Sequence, residues 1–556
     1  MKILLTAVNA KYIHSNPAVH ILKTYAAEWS DHIEVAEYTI NQQTESILAD
    51  IYNRKPNVIA FSCYIWNWNT IERLIGELPK ILPQIQIWLG GPEVTYDATK
   101  RLEELPAVTG VFVGEGEESF RDVATYYCSK TGSLEQIPGL CLQQYGYTGN
   151  RQPMEMDRVP FFYNDLTDFE NKIMYYESSR GCPFSCSYCL SSVDKKVRLR
   201  SLSLVLPELQ FFLDKKVPQV KFVDRTFNCN HAHAIGIWKY LLEHDNGVTN
   251  FHFEISADLL NEEELDILSR MRPGLVQLEI GVQSTNPKTI QKIHRTMDLD
   301  KLKQIVARIH EMRNIHQHID LIAGLPYEDY ASFADSFNEV YAMQPDQLQM
   351  GFLKVLKGAY MAAHTADYGL VFGSYPPYEV LATNWLGYAE VLKLKKVEEM
   401  VELYYNSNQF VHTLCVLEKA FASPFAMFET LGNYFEENGL FVNKPARSYR
   451  YEVLLEFAMS YDKENTALYK ELLTYDIYLR EKCKSRPTFA TDLSAYRNEL
   501  RKREKDKRNH IDIFCFPVWE TDAQKIQKGT KVPVFLEFDY EKRDPLTHNA
   551  KVRKLL

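Results

Sequence analysis

Basic charge is the first thing this chain lacks. Its 63 lysines and arginines are outnumbered by 73 aspartates and glutamates, giving a formal charge of −10 and a pI near 5.9. No global cationic surface is left for nucleic acid, so none is expected as a partner. Nor is there an apolar run of the roughly 20 residues that a bilayer span requires, so no membrane association is expected. The opening run from Met1 to Lys11 has a charge at Lys2 and only a short apolar stretch. It lacks the length and small-residue cleavage site of a signal peptide, and reads as a buried first strand. No G-x-G-x-x-G loop follows it: Asn9-Ala10-Lys11-Tyr12-Ile13-His14 stands there, against a generic dinucleotide fold. Ten cysteines in 556 residues are too few for a disulfide scaffold, so a reducing compartment, the cytoplasm, is expected. Seven of them (Cys63, Cys128, Cys141, Cys229, Cys415, Cys483 and Cys515) are scattered and read as ordinary buried thiols.

The other three sit together, in Arg180-Gly181-Cys182-Pro183-Phe184-Ser185-Cys186-Ser187-Tyr188-Cys189. Three thiolates at C-x3-C-x2-C spacing can grip three irons of a cubane cluster and leave the fourth iron open, where clusters usually take four cysteines. An open metal position is where chemistry happens. A structural zinc site is the competing reading, but zinc wants a fourth Cys or His nearby, and the loop offers none. With Tyr188 before its last cysteine, the loop resembles the cluster loop of radical S-adenosylmethionine (SAM) enzymes. The resemblance implies a [4Fe-4S] cluster on Cys182, Cys186 and Cys189 that chelates SAM and cleaves it reductively to a 5′-deoxyadenosyl radical.

With 46% apolar residues the chain should fold into several domains, three or four at about 150 residues each. Over residues 1–135, strands alternate with helical segments, as near Lys2–Val8, Ile33–Tyr38, Val58–Ser62, Ile85–Leu89 and Gly110–Val113. That pattern predicts a doubly wound, Rossmann-like parallel sheet binding its ligand at the carboxyl ends of the strands. The third strand ends in Ser62 and an aromatic turn, the fourth in Gly90-Gly91, the fifth in Gly114-Glu115-Gly116-Glu117. These turns, in this order ahead of such a cysteine loop, resemble the cobalamin-binding domain that precedes many radical-SAM barrels. The resemblance implies that Ser62, Gly90, Gly91, Gly114, Glu115 and Gly116 line a groove for cobalamin, where glycines admit a flat ring. Base-off domains carry D-x-H-x-x-G in the first loop. Here Tyr12-Ile13-His14-Ser15-Asn16-Pro17 keeps the histidine but loses the aspartate and glycine, so cobalt without a protein nitrogen is expected. Tyr64, Trp66 and Trp68 are expected to cover its lower face.

Residues 136–170, with Pro138-Gly139, Pro153 and Pro160, read as a connector. From 171 to 365, six strand-like runs near 175–180, 219–224, 251–256, 276–284, 318–326 and 348–356 match a partial (β/α)6 barrel, the radical-SAM core. The resemblance places Gln283 and Ser284 of Gly281-Val282-Gln283-Ser284 at SAM, and Asp320 to Pro326 near adenine. Arg295, expected on the helix after the fourth strand, would pair with the SAM carboxylate, and Asp224 or Glu254 would bind the amino group or ribose. Tyr188 would also contact the cofactors. The family's Gly-Gly-Glu after the second strand is missing, replaced by Asp224-Arg225-Thr226-Phe227-Asn228.

Residues 366–556 read as mostly helical. Leu468, Leu472, Tyr475 and Leu479 form one stripe of an amphipathic helix. Arg497 to Arg508 mixes basic and acidic residues as a solvated helix does, and the runs 511–516 and 532–538 read as two strands that pair. The region resembles uncharacterised extensions on cobalamin-type radical-SAM proteins. Together these features imply a cobalamin-dependent radical-SAM methyltransferase acting on an unactivated carbon or phosphorus centre of a small-molecule or peptide substrate. Flavodoxin or ferredoxin would supply the electron. Two alternatives remain open: cobalamin-dependent rearrangement, cyclisation or oxidation without methyl transfer, and a non-catalytic corrinoid or redox-sensing protein.

Overall fold

Ile3-Leu-Leu-Thr-Ala-Val-Asn9 is apolar for most of its length, as a strand covered on both faces must be, and all seven residues are buried. This strand, β1, lies between β2 (Ile33–Thr39) and β3 (Val58–Ser62), with both pairings parallel. Then follow β4 (Gln86–Gly90) and β5 (Val108–Phe112), also parallel. The order β2-β1-β3-β4-β5 is that of a doubly wound sheet, whose switch point falls between β1 and β3. Two short strands from the expected connector, β6 (Leu140–Leu142) and β7 (Gly146–Tyr147), extend the sheet antiparallel beyond β5. The helix Trp68–Ile81 covers one face, burying Trp68, Ile71, Leu74, Ile75 and Leu78 at the three-and-four spacing of one helical stripe.

The computed structural model describes residues 1–503, 508–529 and 532–555, in two compact units. The first joins Met1–Leu275, Ile290–Met297 and Phe352–Asn384. It holds three strands of the expected barrel: β8 (Met174–Tyr176), then, after the short antiparallel pair β9 (Ser179–Arg180) and β10 (Arg198–Leu199), β11 (Gln219–Phe222) and β12 (Asn250–Ile255). Strand β11 pairs parallel with β8 on one side and β12 on the other. Its segment 352–384 is fastened by Glu93, only 2% exposed, which accepts from Lys357 Nζ at 2.8 Å and Tyr378 Oη at 2.5 Å.

The second unit takes Val276–Thr289, Asp298–Gly351 and Trp385–Leu556. Strand β13 (Val276–Gln283) pairs parallel with β14 (His316–Ala323), with a bulge between Gly281 and Gln283; β15 (Gln347–Phe352) neighbours β14. All six strands expected of the partial barrel therefore form. The later part is helical as expected, and the strands His510–Phe514 and Val534–Arg543 pair antiparallel, with Ala550–Leu555 as a third strand.

The expected stripe lies on one helix and is buried as read, but the rest of that helix is buried too. The helix Thr466–Arg480 buries Leu468, Leu472, Tyr475 and Leu479, but also Glu471, Thr474 and Asp476. It is a central helix rather than a surface one, because its acids are satisfied internally. Glu471 accepts from the amides of Cys515 and Phe516, and Asp476 from the amides and side chains of His412 and Thr413. The helix Arg497–Arg503 buries none of its residues; residues 504–507 of the mixed-charge run lie outside the described residues. Among the described residues no helix is long and apolar enough to cross a membrane.

Glu37 at the end of β2 ties the first unit together. Its carboxylate accepts from Asn9 Nδ2 at 3.0 Å, the Asn16 amide at 2.6 Å and Lys172 Nζ at 2.9 Å, with His20 at 3.4 Å. Burial alone would raise its pKa, but His20, Lys172 and Asn9 outweigh burial and hold it at about 2, against an ordinary 4.5. A depressed carboxylate stabilises the fold above its unfolded pKa and loses that contribution as pH falls through its folded one. Wild-type stability should therefore drop between about pH 4.5 and pH 2. Glu37→Gln should cost about 1–3 kcal/mol at pH 7 and flatten that acid limb in chemical denaturation. An unchanged limb would contradict the assignment.

Candidate functional site

The cysteine loop is presented by a buried anchor. Asp224, just past β11 and 1% exposed, accepts from the Ser178 amide at 2.9 Å, Ser178 Oγ at 2.6 Å and Ser179 Oγ at 2.5 Å. Burial pushes Asp224 up to about 6, while Ser178 and Ser179 pull it down; burial wins. His233 Nε2 lies 3.1 Å from Ser178 Oγ. Since that hydroxyl donates to Asp224, His233 donates to it; burial lowers His233 to about 4 and keeps it neutral. Asp224 thus fixes the strand entering the loop. Arg180, the next residue but one, pairs with Glu117 at 2.6 Å and Glu177 at 2.9 Å.

The backbone then turns at Gly181, where φ is +93° and a Cβ would sit 2.5 Å from the Lys196 carbonyl oxygen. Only glycine fits. The Cys182 amide donates to Asp194 O at 2.9 Å, the Ser187 amide to Ile293 O at 2.8 Å, and Ser187 O accepts from the Met361 amide at 2.9 Å. Cys182 and Cys186 are 9% and 7% exposed, and all three loop cysteines are free thiols. Arg295 Nη1 lies 3.7 Å from Cys186 Sγ and 3.4 Å from Tyr188 Oη. Burial raises the Cys186 thiol, and the Arg295 guanidinium opposes that shift. Arg295 stands in the turn after a short helix, Pro287–Lys292, not on a helix as expected. Cys182 Sγ is 3.5 Å from Thr226 Oγ1. Burial lifts Cys229 to about 11, with Cys182 adding to the shift. Glu254 on β12 is half-buried, 4.0 Å from Lys221.

At the first sheet the turns after the third and fourth strands meet. Ser62 and Gly90 are register partners, and Ser62 Oγ accepts from Asn16 Nδ2 at 3.1 Å. Gly91 has φ +111°, and a Cβ there would lie 2.5 Å from Cys63 O. Gly114, at φ +85°, faces open space. Gly116 precedes the helix Glu117–Ser129. The Glu115 carboxylate is held by Arg198 Nη2 at 2.5 Å and the Met154 amide at 2.7 Å. Tyr64 and Trp66 stack with centroids 4.3 Å apart at 10°, and Trp66 is 44% exposed. Trp68 is not part of that cover: it is 2% exposed in the core, beneath the Arg101 guanidinium at 4.7 Å. His14 Nδ1 lies 2.6 Å from Tyr175 Oη, an orienting partner from β8 that the sequence of its own loop does not contain.

Two residues escaped the sequence reading. Asn67, fully buried, locks the aromatic turn: its Oδ1 accepts from the Tyr64 amide at 2.8 Å, and its Nδ2 donates to Val8 O at 3.0 Å and Ser62 O at 2.9 Å. An Asx residue closing a turn after a strand was the available signal. In the second unit the missed residue is Glu328, whose Oε1 accepts from buried Ser284 Oγ at 2.7 Å and from Ser336 Oγ at 3.0 Å. Gln283 adopts φ +72°, a costly conformation for a side-chain-bearing residue, at the bulge closing β13.

Residues 3–124 match the family model of the B12 binding domain, residues 176–340 that of the Radical SAM superfamily, and residues 366–555 that of a protein of unknown function, DUF4080. The chain is 25% identical over 350 residues to the cobalamin-dependent radical SAM methyltransferase TokK of Streptomyces tokunonensis, across 58% of this chain and 50% of that one. It is 23% identical to a 2-(S-pantetheinyl)-carbapenam-3-carboxylate methyltransferase of Streptantibioticus cattleyicolor, across 51% and 45%. It thus spans about half the length of these curated relatives. The solved structure of the cobalamin-dependent SAM radical enzyme OxsB, with aqua-cobalamin and SAM bound, superposes with a TM-score of 0.57 at 15% identity, covering 85% of this chain and 73% of that one. The methyltransferase TsrM from Kitasatospora setae gives 0.55 at 16%, covering 66% and 75%. These likenesses show the fold.

Burial raises Glu328 to about 7 from 4.5, against the pull of Ser284 and Ser336. A raised carboxyl group stabilises the fold below its unfolded pKa and loses that contribution as pH rises through its folded one. Wild-type stability should fall between about pH 4.5 and pH 7 by on the order of 3 kcal/mol. Glu328→Gln keeps an acceptor for Ser284 without the charge, and should remove that slope in denaturant titrations. A variant that retains the slope would contradict it.

Proposed function

We propose that this chain, a radical SAM protein with an N-terminal B12-binding domain, cleaves SAM at a [4Fe-4S] cluster and methylates an unactivated carbon or phosphorus centre with the help of cobalamin. The observation that carries this reading is the loop Cys182-Cys186-Cys189, a three-thiol donor set on a backbone that only Gly181 permits, with the Arg295 guanidinium beside it. The donors suit an iron–sulfur cluster lacking one protein ligand. When bound, the cluster and SAM supply a 5′-deoxyadenosyl radical, and cobalamin supplies the methyl group.

The residues divide the work. Cys182, Cys186 and Cys189 would hold the cluster; Arg295, beside Cys186 Sγ and Tyr188 Oη, would offset thiolate charge and pair with the SAM carboxylate, and the Tyr188 hydroxyl would donate a hydrogen bond at the same place. Asp224 fixes the loop from beneath rather than touching SAM. Glu254 contacts SAM. In the second unit, Ser284 sets the strained Gln283 turn through Glu328. Ser62, Gly90, Gly91, Gly114, the Glu115 backbone and Gly116 line the cobalamin groove, and Tyr64 and Trp66 cover the cobalt. His14 stays off the metal because no carboxylate accepts from its Nδ1: the partner there is the neutral Tyr175 hydroxyl at 2.6 Å, a weaker orienting group than the missing aspartate. Residues 1–135 form the cobalamin domain, whose sheet takes β6 and β7 from the connector 136–170; 171–365 is the radical-SAM core and 366–556 the domain that shapes the substrate pocket. The substrate is a small molecule or peptide, the reductant a flavodoxin or ferredoxin, and the compartment the cytoplasm.

Replacing Cys182, Cys186 or Cys189 with Ala should abolish both the visible cluster absorbance and 5′-deoxyadenosine formation. Cys229→Ala should leave both, because its thiol stays protonated to about pH 11 and is a poor ligand. Cluster loss in the Cys229 variant would overturn the three-ligand assignment.

Trp66→Ala should admit water beside cobalt, making the bound cobalamin harder to reduce while 5′-deoxyadenosine formation persists. Potentiometry and product chromatography on one preparation check this. Parallel loss of both, together with a lower Tm, would make Trp66 a packing residue only.

A further inference from the structure

Residues 480–556 carry more lysine and arginine than aspartate and glutamate, the reverse of the chain as a whole, and one cavity gathers part of that excess. The strands Val534–Arg543 and Ala550–Leu555 pair Asp539 with Lys551, and the next pair is Arg543 with Ala550. Tyr540, Glu541 and Lys542 are therefore extra residues on one strand, and such a bulge re-aims its side chains. Tyr540 turns to the end of the helix Thr466–Arg480, where its hydroxyl donates to Tyr478 O at 2.8 Å and Glu481 O at 3.1 Å. The bulge opens a cavity of about 470 Å3 lined by Lys542, Arg543, Asp544, Asn549, Ala550 and Lys551.

The charges there do not balance. Lys551 is exposed and has no ion-pair partner among the described residues. Arg543 Nη1 donates to two carbonyls, Arg480 O at 3.2 Å and His548 O at 2.7 Å. Arg480 Nη1 donates to Thr547 O, and to Asn549 Oδ1 at 3.3 Å. Neither guanidinium meets a carboxylate among the described residues. Burial lowers the Arg480 pKa, and Arg447 and Arg543 lower it further, so these cations crowd one another. Cations at a helix C-terminus suit its dipole, which accounts for Arg480 and Arg543 but not for Lys542 and Lys551. The two acids nearby are committed elsewhere. Asp544 Oδ1 accepts from the Leu546 and Thr547 amides and from Thr547 Oγ1. Asp539 Oδ1 accepts from the Glu541 and Lys542 amides, and its Oδ2 is 3.4 Å from a Lys542 side chain that is 73% exposed.

We propose that this cavity binds the phosphate group of a small phosphorylated molecule through Lys542, Arg543 and Lys551, with the Asn549 amide as a further donor. A phosphoryl group places about −1.5 to −2 charges on one centre at pH 7, which suits three cations around one cavity as a single carboxylate does not. Arg543 keeps Nε and Nη2 for a bidentate contact. Asn549 turns its Oδ1 to Arg480, and Nδ2 is its donor end. The volume falls within the roughly 300–1,000 Å3 of small-molecule pockets, and Ala550 is the one apolar residue of the lining, so the cavity grips the charged end of its ligand. The site uses neither cluster nor cobalamin, and it does not rest on the reaction proposed above.

Inorganic pyrophosphate is the probe, titrated calorimetrically into the full-length chain at constant ionic strength. One equivalent should bind with a Kd below about 1 mM, and at least about tenfold more weakly in Lys551→Glu. Lys525→Glu makes the same charge change on the helix Ala523–Lys528 and should bind as wild type does. So should Cys186→Ala, which excludes chelation of cluster iron. Succinate should bind at least about tenfold more weakly than pyrophosphate. In the wild type itself, pyrophosphate should protect Lys551 from acetylation and leave Lys525 reactive, as read by peptide mass spectrometry. This last readout does not depend on any variant folding. Absence of binding below about 1 mM, equal losses in the Lys551 and Lys525 variants, loss in Cys186→Ala, succinate binding as tightly as pyrophosphate, or an unprotected Lys551 would each overturn the proposal.

Discussion

The buried carboxylate of Asp224 is the constraint on which the cysteine loop depends. A charge that is 1% exposed is costly unless it is well hydrogen-bonded, and here three donors from two consecutive serines meet it. Each charge-assisted bond contributes about 1.5–3 kcal/mol, yet burial still holds the group above its ordinary pKa. The outcome is a rigid strand end that cannot shift without leaving a buried charge unpaired. From that strand end the chain passes through Gly181 into the three thiols, so the geometry of the loop is inherited from a residue about forty positions downstream.

Charge ties the two halves of the first unit to the same place. Glu115 and Glu117 belong to the turn after the fifth strand of the cobalamin-type sheet, but their carboxylates reach Arg198 and Arg180 on either side of the cysteine loop. These ion pairs are largely buried, and breaking one would leave an uncompensated charge. The acids of this turn therefore brace the neighbouring loop, which leaves its glycines and backbone for the proposed cobalamin groove. Glu93 does the same for the segment 352–384 through Lys357 and Tyr378.

Much of this was legible from local pattern. Strand runs, turn glycines and the cysteine spacing are short-range signals, and both sheets, the paired C-terminal strands and the order of the turns follow from them. What was not legible lies in long-range pairing. The partner of His14 is Tyr175, 161 residues away, and the partner of Ser284 is Glu328. Helix Thr466–Arg480 carries acids that mark a surface face until Cys515, Phe516, His412 and Thr413 are seen to satisfy them. Trp68 follows Trp66 by two residues yet is core, because it starts the helix Trp68–Ile81 and faces the sheet. Arg295 lies in a turn rather than a helix, and its target, the cysteine loop, is more than a hundred residues upstream.

The central claim is that one chain holds both the cluster and cobalamin. Anaerobic reconstitution of the full-length protein with iron, sulfide and hydroxocobalamin, followed by elemental analysis of the desalted product, tests it directly. The account predicts about four irons and about one cobalt per chain, with the iron lost and the cobalt kept in Cys186→Ala. Zinc in place of iron, or cobalt absent from a folded chain that retains its iron, would contradict it.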